Sequence, residues 1–220
     1  MSDAVKRRYD GTRRQEQARA TQRAVLAAAQ ELFVAQGYAA TTIAQVASRA
    51  GVSAETVYSA FRSKAGLLHR VWDVTIGGDD EEVVFHERPE VMAIRAEKDL
   101  TKRFALHARF MTVTARRMGP FLRMLEAAAG ADPAAAAMLE EIGRQRLAGM
   151  TVMAREAATT GQLAVPEETC RDVVWALSDG VLWHRLVEER GWTDEQFAEH
   201  LARLLVALLV RPAGRGARRG

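Results

Sequence analysis

The 220-residue sequence predicts an all-α protein. Three observations carry that expectation. Almost every apolar repeat falls near 3.6 residues, no run alternates apolar and polar long enough for a strand, and capping residues bracket the periodic stretches. With 48% hydrophobic and 27% charged residues the composition is that of a folded globular chain. A single cysteine, Cys170, excludes an intramolecular disulfide and a cysteine-based zinc site. The longest apolar run near either end, residues 204–210, is far short of the roughly 20 residues that cross a bilayer. The opening MSDAVKRRYD is followed by no apolar signal core, so the expected compartment is the cytoplasm, with no membrane partner.

The first helix is expected over residues 18–36, with Val25, Leu26, Ala29, Leu32 and Phe33 on one stripe and Gly37 at its left-handed stop. Thr42 and Gln45 have capping-box spacing, opening a short helix that buries Ile43, Val46 and Ala47 and ends at Gly51. Gly51-Val52-Ser53 then supplies a turn glycine, an apolar plug and an N-cap for a third helix with Val57 and Phe61 inward. Two short helices across a glycine turn are the mark of a helix-turn-helix. A fourth helix starts at Ser63 with Leu67, Leu68, Val71 and Trp72 inward, and the acidic stretch 77–89 reads as a connector. Helices are expected over 89–118 and, after Gly119-Pro120, over 121–129. Three more follow: 134–160 after Asp132-Pro133, Pro166 to about Arg190, and a last one to Val210 opened by the second capping box, Thr193 and Gln196. The tail RPAGRGARRG is expected to be disordered. No repeat of 20 to 50 residues is present.

The net charge of +3 conceals an asymmetry. Residues 1–70 hold 11 Lys/Arg against 5 Asp/Glu, residues 71–210 hold 16 against 23, and the last ten hold 4 against none. A basic head on an acidic body suits a head that meets a polyanion and a body with another task.

The most specific signal is TIAQVASRAGVSAETVYSAFRSK, from Thr42 to Lys64. A helix-turn-helix offers the first turns of its second helix to the major groove, which requires short polar side chains there and phosphate ligands around them. Ser53, Ala54, Glu55, Thr56, Tyr58 and Ser59 supply that face, ringed by Arg49, Arg62 and Lys64. The pattern from Ala29 to Leu68, with its Leu-Phe, Gly-Tyr, Thr-Thr-Ile, Val-Ala, Ala-Gly-Val-Ser, Thr-Val-Tyr, Phe-x-Ser-Lys and Leu-Leu pieces in register, resembles the TetR family of bacterial transcriptional repressors. The resemblance implies that Thr42 caps the second helix and touches a phosphate, that Ser53, Ala54 and Thr56 lie along the groove, and that Tyr58 and Lys64 grip the backbone. Gln45, with Thr42 at the same helix start, is a further DNA-binding candidate. The sequence departs from the pattern at Ser59 and Ala60, where the family more often has an aromatic and a His or Tyr. Thr42 and Ser53 would serve as caps in any protein, so their caps alone do not point to DNA. The basic arm that includes Arg13 and Arg14 either tracks phosphates or only solubilises the chain.

Two late segments, 173–183 and 201–210, are apolar on most sides and must be covered on most sides. The resemblance implies a homodimer that packs them across a two-fold axis, with Val173, Leu177, Gly180, Val181, Leu201, Leu204, Leu205 and Leu208 at the interface. Burial within one protomer is the alternative. Candidates for a small apolar ligand are Trp72, Phe104, His107, Phe110, Met111, Phe121, Met150, Trp175 and Asp179, although a bundle core has the same composition.

The resulting expectation is a flexible arm over 1–18 and a three-helix helix-turn-helix DNA-binding domain over 19–66. A six-helix ligand-binding and dimerisation domain follows over 67–210, then the tail. Its partners are double-stranded operator DNA, a small apolar molecule and a second copy of the chain, with no cofactor and no metal. The function is that of a repressor released from a palindromic operator by its ligand. The rival classes are a sequence-independent architectural DNA binder, which leaves the acidic body without a task, and an all-α enzyme. Against the enzyme stands the lack of a nucleophile elbow, a phosphate-cradling glycine loop, a His-Glu-x-x-His pair or a clustered Cys/His/carboxylate set.

Overall fold

The computed structural model describes residues 2–77 and 87–212, with side chains from Gln15 onward. Ten helices follow one another: α1 (Ser2–Gln36), α2 (Ile43–Ala50), α3 (Ala54–Phe61), α4 (Lys64–Gly77), α5 (Pro89–Ala96), α6 (Leu100–Ala129), α7 (Pro133–Ala158), α8 (Glu167–Leu177), α9 (Val181–Trp183) and α10 (Asp194–Leu209). A π-helical stretch, His184–Glu189, continues α9. The described residues contain no strand, only an isolated bridge between Leu163 and Val210.

The start signals act as the sequence leads one to expect. Thr42 and Gln45 close a complete capping box, as do Thr193 and Gln196, and the Ser53 side chain accepts from the Thr56 N–H. Gly37, Gly51 and Gly161 stop their segments at φ of +86°, +70° and +70°.

Four boundaries differ from expectation, each for a physical reason. The helix of residues 18–36 begins instead at Ser2, the segment before it being rich in Arg, with Lys and Gln, all good helix formers. The helix expected over 89–118 is interrupted at Glu97–Asp99, where Asp99 Oδ1 accepts the Thr101 and Lys102 N–H groups and starts α6 afresh. Pro120 does not end α6, which runs through it to Ala129. A proline removes one ladder bond and can be carried by a helix packed along its length. The helix from Pro166 breaks at Ser178 to Gly180, where Gly180 takes φ +90° and Asp179 Oδ1 accepts the Val181 N–H. The connector 78–86 and the tail 213–220 lie outside the described residues.

The chain divides into two compact units, residues 1–82 with 120–139, and 83–119 with 140–220. In the first unit Val25, Ala29 and Phe33 of α1, Val46 of α2, Val57 of α3 and Leu67, Leu68 and Val71 of α4 form the core. Trp72 lies at 5.7 Å from the Phe121 ring. In the second unit Leu100, Phe104 and Ala108 of α6, Ala154 and Ala157 of α7, Val174 of α8, Trp183, and Leu201, Leu205 and Leu209 of α10 share one core.

Candidate nucleic-acid interface

The geometry of the first unit starts from its turns. The Thr42 side chain is exposed, its hydroxyl accepting the Gln45 N–H at 3.2 Å while Gln45 Oε1 accepts the Thr42 N–H at 2.8 Å. Both side chains are therefore committed first to starting α2. Ser53 Oγ accepts the Thr56 N–H at 3.2 Å and lies 3.1 Å from Thr56 Oγ1, so these two hydroxyls form one polar edge on the first turn of α3. Glu55 is held below the usual carboxylate range by its own backbone N–H and then by Ser53, so it presents a negative charge beside that edge. Ala54 is half-buried, whereas Thr56, Ser59 and Ala60 are exposed. Tyr58 is 54% exposed, a large ring that the fold does not need.

The cations differ in what they are doing. Arg49 pairs with Glu31 across α1 and α2 at 2.5 Å. Lys64 Nζ lies 4.2 Å from the centroid of the Tyr38 ring and donates to the Ala39 carbonyl at 3.3 Å. Burial lowers the Lys64 pKa, an effect that the charge of Asp132 opposes. Burial also pushes the Tyr38 phenol up to about 12, with Asp132 adding to it. Lys64 thus ties the turn after α1 to the start of α4. Arg62 is exposed and has no ionic partner among the described residues. Arg13 and Arg14 lie on α1, but their side chains fall outside the described residues.

Gly66 fixes how α3 and α4 meet. A Cβ at this position would stand 2.3 Å from the Phe61 carbonyl oxygen, so only glycine allows the first turn of α4 to lie against the end of α3. Leu67 and Leu68, the next two residues, are fully buried.

The expected ligand residues fall in both units. Trp72 and Phe121 pack in the first unit, while the others belong to the second. There, Phe104 and His107 are buried, Phe110, Met111 and Met150 are half-buried, and Asp179 caps α9. Trp175 is 39% exposed and carries the Arg146 guanidinium at 5.4 Å from its ring, so it faces outward rather than into a pocket. The second unit contains a void of about 10 Å³, room for a single water, lined among others by Met111, Leu177, Ser178, Gly180, Trp183 and Leu201. His107 Nε2 lies 3.1 Å from Ser178 Oγ, and full burial lowers the imidazole pKa to about 4, leaving it neutral. Ser178 was not among the expected ligand residues. Its partner His107 is 71 residues away, and only tertiary packing brings the two together.

The expected interface set is also divided. Leu201 and Leu205 are fully buried in the core of the second unit, while Leu177 and Gly180 line the void. Val181 is exposed, Leu208 is 51% exposed, and Val173 and Leu204 are half-buried. A helix near the edge of a bundle buries one stripe at home, and the other stripe remains for a partner.

Two capped short helices at a glycine turn, with a polar, partly cationic face on the second, define a helix-turn-helix DNA-binding domain. Residues 25–71 match the family model described as bacterial regulatory proteins, tetR family. No curated protein matches the chain. Among solved structures, it is similar to NalD of Pseudomonas aeruginosa, the secondary repressor of the MexAB-OprM multidrug efflux pump. The identity is 20% and the TM-score 0.66, over 90% of this chain and 100% of that one. A SmeT–triclosan complex is 21% identical with a TM-score of 0.62, over 88% and 93%. A transcriptional regulator from Saccharomonospora viridis in complex with choline is 16% identical with a TM-score of 0.64, over 87% and 98%. At these identities the likeness concerns the fold. No described helix is long and apolar enough to cross a membrane.

Proposed function

We propose that the protein is a homodimeric transcriptional repressor whose first unit binds operator DNA and whose second unit binds a small, largely apolar molecule that weakens that binding. The observation that carries the reading is the exposed face of α3, Ser53, Thr56 and Tyr58, on a helix locked by its N-cap and by the α3–α4 turn. Rigid presentation of short polar groups beside an exposed phenol suits base edges and phosphates respectively. NalD is described as a repressor, and the two other structures hold triclosan and choline, which supports a regulator whose body takes small ligands. The outward apolar side chains of Val181, Leu204 and Leu208 support pairing of two copies. The void by Met111 and Ser178 holds one water at most, so a ligand enters only as the flexible Met111 side chain and the Gly180 turn give way. Ser178 in the lining, paired behind it with the neutral His107, suits an uncharged molecule with a single hydrogen-bonding group.

The test is fluorescence anisotropy on labelled duplexes. Tyr58→Ala weakens binding to every sequence, whereas Thr56→Ala changes the ranking of sequences. Wild-type affinity and ranking in the double variant would contradict the reading. A ligand that quenches Trp183 must lose as much affinity in the presence of operator as the operator loses to it, about 5- to 150-fold. Equal ligand affinity for free and operator-bound protein would remove the ligand-release part alone.

A further inference from the structure

Six described residues have positive φ, and five of them are glycines: Gly37, Gly51, Gly161, Gly180 and Gly191. The sixth is Arg62, at φ +66° and ψ −40°, between the recognition helix α3 and α4. Its N–H donates to the Tyr58 carbonyl at 2.8 Å, and the Ser63 N–H donates to the Phe61 carbonyl at 2.7 Å. The second bond closes a three-residue turn around Arg62, a rare and strained geometry for a residue with a Cβ.

The turn cannot relax, because Gly66 brings the first turn of α4 against the same Phe61 carbonyl and its N–H is held by Ser63 Oγ at 3.0 Å. Glycine would occupy position 62 without strain, as it does at every other such position described. The arginine stands there nonetheless, its side chain exposed and with no hydrogen bond or ion pair among the described residues. It therefore gives the fold nothing that offsets its backbone cost. Arg49 is already spent on Glu31 and Lys64 is partly spent on Tyr38 and Ala39, so Arg62 is the unspent guanidinium beside α3.

We propose that Arg62 is a DNA-phosphate contact of the recognition unit, carried off the end of α3 by a strained turn that costs stability in exchange for its placement. A planar guanidinium with forked donors is suited to two phosphate oxygens at once. The proposal rests on the reading of the first unit as a DNA-binding head.

Three substitutions separate charge from strain: Arg62→Ala removes the charge and keeps the strain, Arg62→Lys keeps both, and Arg62→Gly removes both. The probe is a 30-base-pair duplex of mixed sequence, with Kd measured over a range of KCl and thermal unfolding followed in parallel. Arg62→Ala and Arg62→Gly are expected to bind about 3- to 10-fold more weakly at low salt. The slope of log affinity against log salt should fall by about 0.9 for each protomer engaged. Arg62→Lys should keep the wild-type slope, and Arg62→Gly should melt at a higher temperature than the wild type while binding worse. Wild-type affinity and slope in Arg62→Ala and Arg62→Gly would overturn the contact. An Arg62→Gly protein that melts no higher would overturn the exchange of stability for placement. If the wild type itself fails to bind the duplex, the DNA-binding reading falls, an outcome distinct from either of these.

Discussion

Gly66 and His107 each turn a single side-chain fact into a measurable quantity. Gly66→Ala forces a methyl to within 2.3 Å of a backbone oxygen that cannot move without shifting α3. We expect a loss of about 1 to 3 kcal/mol by denaturant titration, with DNA affinity falling alongside because the recognition helix is displaced. A variant as stable as the wild type would mean that α4 is not set against α3 in this way. His107 is neutral when folded, with a pKa of about 4 against about 6.5 when unfolded, so the unfolded chain binds the extra proton between those values. Its contribution is therefore complete above pH 6.5 and is lost as the pH falls towards 4, about 3 kcal/mol in all. Stability curves of wild type and His107→Asn should run parallel above pH 7 and converge or cross below it. Identical pH dependence in the two would contradict the burial of a neutral imidazole. At this scale the sequence exposed Tyr58 and the caps, whose logic is local. It did not expose the grip of Lys64 on Tyr38, which joins residues 26 apart, or the strain at Arg62, which depends on the approach of Gly66.

The two capping boxes provide an internal control at the scale of the helix. Thr42 and Thr193 make the same pair of bonds with Gln45 and Gln196, yet only Thr42 lies on the candidate DNA face. Replacing either threonine by alanine should cost about 1 kcal/mol of stability. Only Thr42→Ala should also weaken DNA binding beyond what its stability loss explains, and equal DNA binding by the two variants would reduce Thr42 to a cap. Leu208→Glu, on the exposed side of α10, should leave each protomer folded but sediment as a monomer. A folded dimer of this variant would place the interface elsewhere. Helix existence was legible from periodicity and caps at nearly every element. The ends at Glu97–Asp99, Pro120 and Gly180 were not, because there a side-chain cap, a packed proline and a left-handed glycine compete with an otherwise continuous helical pattern.

For the whole molecule, the basic head and acidic body seen in the sequence correspond only loosely to the two compact units, since 120–139 joins the first unit. Chain order gives no hint of that, because both α6 and α7 contribute residues to both units. The apolar richness of 201–210 likewise could not tell a core from an interface, and the structure divides it between Leu201 and Leu205 inward and Leu208 outward. The central claim is that the first unit reads DNA sequence through α3. It is tested most directly by selecting duplexes from a randomised library with the wild-type protein and comparing Kd for the enriched and scrambled sequences at one fixed salt concentration. The account predicts an enriched site with two-fold symmetry, bound about 1,000-fold or more tightly than the scrambled duplex. No enriched sequence, with equal affinity for every duplex, would contradict it and leave a sequence-independent DNA binder in its place.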